Sequence, residues 1–317
     1  MRSFFSKEIP FIQNRKKFLT LSIIFIALSI VGIVVRGLVF GIEFQGGTEI
    51  DFRNTGDITI EQMRSALEDA GEQGPTVQTA VTDGESGFLV RSDTTDPTLA
   101  TEHAAAAAEA LGLSEDSYQV TTIGPDWGAN VTRSSLTAFA IAIVAILAFV
   151  TIRYEAKMSV CAVIALLHDL LVTVGIYAWV QMPITPNVVA ALLTIMGYSL
   201  YDTVVEFNRT NENANTLKDG IHRTFHQISN YSINEVFTRT INTTVTSLVP
   251  VIAMLLFGGA TLKDFAFAMT LGLVLGTYSS WGIASPLLSI WKTREPKWAK
   301  LESRYGPAGE SAPAVED

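Results

Sequence analysis

Six apolar runs, each long enough to cross the roughly 30 Å of hydrocarbon in a bilayer, constrain this chain more than any other feature. They occupy residues 18–40, 134–152, 158–180, 187–207, 239–257 and 264–290. An unpaired backbone group in lipid costs several kcal/mol, so the runs are expected as helices and open strands are excluded. Composition agrees, because 48% hydrophobic and only 17% charged residues in a 317-residue chain are too apolar for an ordinary soluble enzyme. Arg15, Lys16 and Lys17 ahead of the first run would suit a signal peptide, yet no small-x-small cleavage site follows Val35. A retained signal-anchor helix is therefore expected. Trp281 and Trp291 near one end of the sixth run read as interfacial anchors.

Lysine and arginine set the expected orientation. Arg2, Lys7, Arg15, Lys16 and Lys17 precede the first run, Arg153 and Lys157 separate the second from the third, and Arg209, Lys218 and Arg223 separate the fourth from the fifth. Lys292, Arg294, Lys297, Lys300 and Arg304 follow the sixth, whereas the 181–186 connection has no basic residue and the fifth-to-sixth has only Lys263. The positive-inside bias then puts both termini in the cytoplasm of a multi-pass plasma (inner) membrane protein. Four parts are expected: a cytoplasmic N-terminus with the first span (1–40), an extracytoplasmic α+β domain (41–133), spans two to six (134–290), and a disordered cytoplasmic tail (291–317).

The loop 41–133 is acidic and is the only sizeable water-soluble part. Its pattern reads as strands at 48–52, 76–81, 87–91 and 118–122 and helices at 59–70 and 96–111. The order βαββαβ predicts a ferredoxin-like unit. Thr59 with Gln62 makes a capped helix start, and helix propensity alone accounts for the alanine run 104–108.

Ionisable residues inside the spans are the sharpest functional signals, because such groups face a bundle interior or a water-filled path rather than lipid. Asp169 lies mid-way along the third run beside His168. Its plainer reading is a carboxyl that only bonds a neighbouring helix. Asp202 shares a polar side of the fourth run with Asn187, Thr194, Tyr198 and Tyr201, and Glu206 follows one turn on. These acids could also simply mark the helix end. Arg239 opens the fifth run, with Thr243, Thr246 and Ser247 at helical offsets and Pro250 beyond as a kink. Aspartate can lose a proton and arginine cannot, so the two could alternate between bridged and separated states. Ordinary positive-inside anchoring competes with that reading of Arg239. Gly272, Gly276, Ser280 and Ala284 form a small-residue ladder that signals helix packing. Gly46 and Gly47 read as tight backbone at the membrane-to-domain junction, since no GK[ST] follows. Cys161 is the lone cysteine and sits in an apolar run, so neither an intrachain disulfide nor a thiol metal site is available. No HExxH, GxSxG or soluble Ser/His/Asp grouping occurs, so no catalytic residue, no metal and no cofactor is expected, and the net charge of −9 gives nucleic acid no support.

Several long blocks in order resemble the SecF family over nearly the whole chain. They are GIEFQGGT (41–48), LLHDLLVTVG (166–175), IMGYSLYDTVVEFNRTNEN (195–213), SINEVFTRTINTTVTSL (232–248) and LFGGATLKDFAFAMTLGLVLGTYSS (256–280). The placement of a soluble domain between the first two of six helices also resembles half of an RND-type transporter. The resemblance implies a SecD partner beside the SecYEG channel, translocating preproteins as substrate, and use of the proton motive force. It matches Asp202 and Arg239 to positions associated with proton passage and puts Asp169 at another motif position. Together with the reading of the residues themselves, the expected proton pathway is Asp202, Arg239 and Asp169, with His168, Tyr198, Thr243 and Thr246 as supporting candidates. Glu43, Asn208 and Asn211 depart from the usual pattern, which weakens the cytoplasmic end of the fourth span as a site but leaves Asp202 in place. Two other readings stay open: an RND-like exporter of small or lipidic molecules, and a structural assembly factor whose membrane acids only hold helices together.

Overall fold

The computed structural model describes residues 8–72, 74–82, 85–216 and 224–305. Arg2, Lys7, Lys218, Arg223 and the tail 306–317 lie outside the described residues. Six helices are long and apolar enough to cross a membrane. They are α1 (Arg15–Arg36), α5 (Pro125–Arg153), α6 (Ala156–Val180), α7 (Pro186–Thr216), α8 (Phe225–Phe257) and a sixth span, Leu262–Lys292. The sixth is built from α9 (Ala260–Ser279), a π-helical turn (Ser280–Ala284) and α10 (Ser285–Lys292). The third, fourth and sixth spans form the buried centre, and the first, second and fifth leave most of their surface uncovered.

Between the first two spans lies the four-stranded antiparallel sheet that the βαββαβ pattern predicts. After the short helix α2 (Ile42–Gln45) come β1 (Gly47–Phe52), α3 (Ile60–Asp69), β2 (Thr76–Thr82), β3 (Glu85–Ser92), α4 (Pro97–Ala110) and β4 (Tyr118–Ile123). The strand order is β2-β3-β1-β4, the ferredoxin-like arrangement. Strand alternation turns Ile50, Phe52, Phe88 and Val90 onto the face that α3 and α4 cover. Thr59 and Gln62 cap α3 reciprocally. The alanines of α4 do more than favour helix: Ala104, Ala107 and Ala108 are buried in this core while Ala105 and Ala106 are exposed. The opposite sheet face is polar. There Arg91 pairs with Glu49 at 2.9 Å, and Gln78 donates to the carbonyl of Gln181 in the α6–α7 connection at 3.3 Å.

Four spans differ from their apolar extent, and of these α7 runs on past residue 207 to Thr216. Helix α1 stops at Arg36 rather than at residue 40, because the next residues pair with the α6–α7 connection: Gly41 N–H donates to the Ile184 carbonyl at 2.9 Å and Ile184 N–H to that of Val39 at 2.8 Å. Helix α5 begins at Pro125, directly after β4, with proline at a first-turn position where no N–H is needed. Helix α8 begins at Phe225 behind a Thr224–Gln227 capping box, so Arg239 sits within a long helix rather than at its start. The helix continues through Pro250 to Phe257.

Residues 291–305 are not the unstructured tail that composition suggests. Helix α10 runs to Lys292 and α11 spans Pro296–Tyr305. Trp298 buries its ring against Phe225, 5.0 Å between centroids, and Lys157 reaches Glu295 at 2.7 Å. Partial burial opposes the charge of Glu295, yet hydrogen bonding and attraction from Lys157 and Lys292 hold its carboxyl below the usual range. Trp281 is likewise no free anchor, since it packs edge-on to Phe18, Phe237 and Tyr278.

Gly46 and Gly47 make the turn into the sheet at φ +78° and +113°, where L side chains are strained. A Cβ on Gly46 would meet the backbone of Pro125 at 3.1 Å, and one on Gly47 would strike the Ser92 carbonyl. Gly47→Ala is therefore expected to cost about 1–3 kcal/mol. Gly124→Ala, where φ is −69° and no atom lies within 4 Å of the added methyl, should be close to neutral. Thermal unfolding of the two variants in detergent tests this, and equal midpoints would contradict it.

Candidate functional site: carboxylates between the third, fourth and sixth spans

Small residues on the sixth span let the fourth approach it closely. Gly272 lies against the side chain of Ile195, and a Cβ on Gly276 would stand 3.0 Å from that of Ser199. Both glycines thus serve packing between α9 and α7. Ser280, third in the ladder, also bonds Thr203 at 3.1 Å.

Three carboxyl groups line this contact. Asp169, fully buried on α6, is met by three groups: Ser199 of α7 donates to Oδ2 at 2.6 Å, Ser279 of α9 to the same oxygen at 2.7 Å, and His168 Nδ1 stands 3.0 Å from Oδ1. One acid thereby joins all three central spans. His168 Nε2 is buried without a partner. Asp202, 4% exposed on α7, has a buried Oδ2 that no group reaches. Glu206, one turn on, is buried and accepts a hydrogen bond from Ser285, just past the π-helical turn. Single π turns of this kind recur at functional sites. Here the turn sits between Ser279 and Ser285, which serve different carboxyls.

Arg239 is placed otherwise. It is exposed on α8, donates to Tyr201 OH at 3.2 Å, and makes no ion pair with Asp202 within 4.0 Å among the described residues, although its charge acts on Asp202 through space. The expected polar stripe on the fourth span therefore divides: Thr194 and Tyr201 face outward, while Asp202 faces inward with Ser199, Thr203 and Glu206. Tyr198 lies between and donates to Thr244 at 3.2 Å, and Thr244 bonds Thr277 of the sixth span at 2.7 Å. Thr243 and Thr246, the threonines picked by their offsets from Arg239, bond only carbonyls of their own helix on its exposed side. Thr240 and Thr244 are the buried ones. Sequence reasoning also missed Ser199, Ser279 and Ser285; the last two lie in the serine-rich run 279–285, and Ser199 carries no comparable signal.

A six-span bundle with a ferredoxin-like unit after its first span and carboxyls buried among its central helices defines a multi-pass membrane protein built around ionisable groups. The chain matches the family described as protein export membrane protein SecD/SecF, C-terminal, over residues 103–294, and the SecD/SecF GG motif over residues 31–53. Protein translocase subunit SecF of Streptomyces coelicolor is 35% identical, over 97% of this chain and 85% of the relative. That of Desulfurispirillum indicum is also 35% identical, over 93% and 96%. The crystal structure of SecDF, a translocon-associated membrane protein from Thermus thermophilus, superposes with a TM-score of 0.81 at 29% identity, covering 91% of this chain and 39% of that one. The chain belongs to the SecF family of protein translocase subunits. It spans about two fifths of the SecDF chain it resembles.

Two hydroxyls on one oxygen of Asp169 make a stability prediction. Ser199→Ala or Ser279→Ala leaves that oxygen one donor, so each should cost about 1 kcal/mol, the scale of single polar contacts in membrane bundles. Removing both leaves it bare, so the double variant should exceed the sum by about 0.5 kcal/mol or more. Unfolding of the three variants in detergent measures the coupling, and strict additivity would contradict the shared site.

Proposed function

We propose that the chain works as the SecF subunit of a SecDF-type complex, assisting preprotein export through SecYEG across the plasma membrane at the expense of the proton motive force, without a catalytic centre or cofactor. The observation that carries this reading is the pairing of an inward, unpartnered Asp202 with an outward, unpaired Arg239 on adjacent spans. A proton bound by Asp202 removes the charge that attracts Arg239, and its release restores that attraction, so each proton passage shifts α7 and α8 against one another. Asp169 with His168 forms a second exchangeable group. Its hydrogen bonds to two other spans couple protonation to the packing of the whole centre.

In this reading both termini are cytoplasmic and the 41–133 domain is outside. Gly124 alone separates β4 from α5, so a tilt of α5 carries the domain as a rigid body. A charged Arg239 and the Tyr201 hydroxyl on an uncovered face of the bundle are costly against lipid. A SecD-like partner covering that face, as paired halves do in many transporters, removes the cost. The family membership and the longer SecDF chain support this partner.

Inverted vesicles containing the complex test the reading. Asp202→Asn, or Arg239→Gln, should abolish the gradient-stimulated part of export and leave ATP-driven early translocation intact. Wild-type export by both variants at low and high gradient would sink it. The partner is tested separately with Tyr201→Cys in a Cys161→Ser background. Maleimide labelling should be fast in the chain alone and several-fold slower with the SecD-like partner. Equal rates would leave that face without a covering partner.

A further inference from the structure

Below the Asp202 level, α7 and α8 enclose a groove of about 550 Å³ lined by Asn208, Arg209, Glu212, Glu235 and Arg239. The two arginines in it are treated very differently. Arg209 takes both acids: its Nε and Nη2 hold Glu235 at 2.7 and 2.5 Å, and its Nη1 holds Glu212 at 3.1 Å. Asn213 adds a third donor to Glu235 at 2.7 Å. Arg239 has no carboxylate within 4.0 Å among the described residues, and its hydrogen bond is to the neutral Tyr201 hydroxyl.

Glu235 and Arg239 are four residues apart on one helix, the spacing at which an acid and a base meet most readily without any movement of the bundle. Asp202 stands on another helix, with no ion pair to Arg239 within 4.0 Å among the described residues. Left to itself, Glu235 is the better-placed partner. A bidentate guanidinium and an amide already occupy its oxygens, and this fork geometry is the one that most firmly fixes a carboxylate.

We infer that Arg209 is a positioning residue: by occupying Glu235, it keeps Arg239 free to answer Asp202. The inference rests on the proposed Asp202–Arg239 exchange. The competing account is that the Arg209–Glu235 pair merely ties two helices together, as many ion pairs do with little effect.

The two accounts separate in the gradient-stimulated export of vesicles holding the complete complex. Arg209→Gln should lower that component several-fold, because the released Glu235 captures Arg239. Glu235→Gln should change it little, and the double variant Arg209→Gln/Glu235→Gln should recover most of the loss. A helix tie predicts the reverse: Glu235→Gln as damaging as Arg209→Gln, with no recovery in the double variant. That result, or wild-type export by Arg209→Gln, would overturn the inference. Should Arg209→Gln fail to accumulate in the membrane, Arg209→Met, which keeps the apolar stem but no donor to Glu235, is scored instead and its rescue by Glu235→Gln decides in the same way. Asp202→Asn in the same vesicles keeps the two levels apart. If it is inactive while the rescue fails, only the inference falls, and if it exports normally the underlying reading falls with it.

Discussion

The close approach of the fourth and sixth spans governs the rest of this structure. Gly272 and Gly276 remove the side chains that would hold α9 away from α7, and Ile195 and Ser199 occupy the space. At that separation the hydroxyls of Ser199 and Ser279 converge on one oxygen of Asp169. These hydrogen bonds offset the cost of burying the Asp169 carboxyl, so at this point helix packing and site chemistry are one constraint. The π-helical turn adjusts the phase of the sixth span just below Ser279. Ser280 then reaches Thr203, and Ser285 reaches Glu206.

Against the hydrogen-bonded carboxyls of Asp169 and Glu206, Asp202 and Arg239 stand out by what they lack. One is an inward acid with an unreached oxygen, and the other is an outward cation bonded to a neutral hydroxyl. Two opposite charges on adjacent helices, near but not in contact, can do work when one of them titrates. A permanently closed pair cannot. The Arg209–Glu235 fork beneath them shows how a groove rich in charge can still leave one arginine uncommitted.

Most of the architecture was legible because it follows from local rules. Twenty-residue apolar runs gave the six spans, and period-two alternation with turn residues gave β1 to β4 and the ferredoxin-like order. Asp169 and Asp202 were legible because a carboxyl in an apolar helix has few purposes. The helix ends were harder to read: polar turns at 125–133 and 225–238 continue the spans beyond the apolar runs, held by a first-turn proline and a capping box. That misplaced Arg239 at a helix start. Helical offsets then grouped Thr243 and Thr246 with it, but which side of α8 is covered depends on where α7 and α9 lie, and they cover Thr240 and Thr244. The serines stayed hidden for the same reason, since a serine serves a carboxyl only if another helix brings the two together. The alanine run of α4 and the helix 296–305 show packing overriding composition.

The central claim is that Asp202 changes protonation as the complex works. Infrared difference spectroscopy of the reconstituted complex, recorded across a pH step, reads the carboxylic C=O stretch directly. The account predicts a protonation band that disappears in Asp202→Asn and is altered in frequency by Arg239→Gln. Identical difference spectra from the wild type and Asp202→Asn would contradict it.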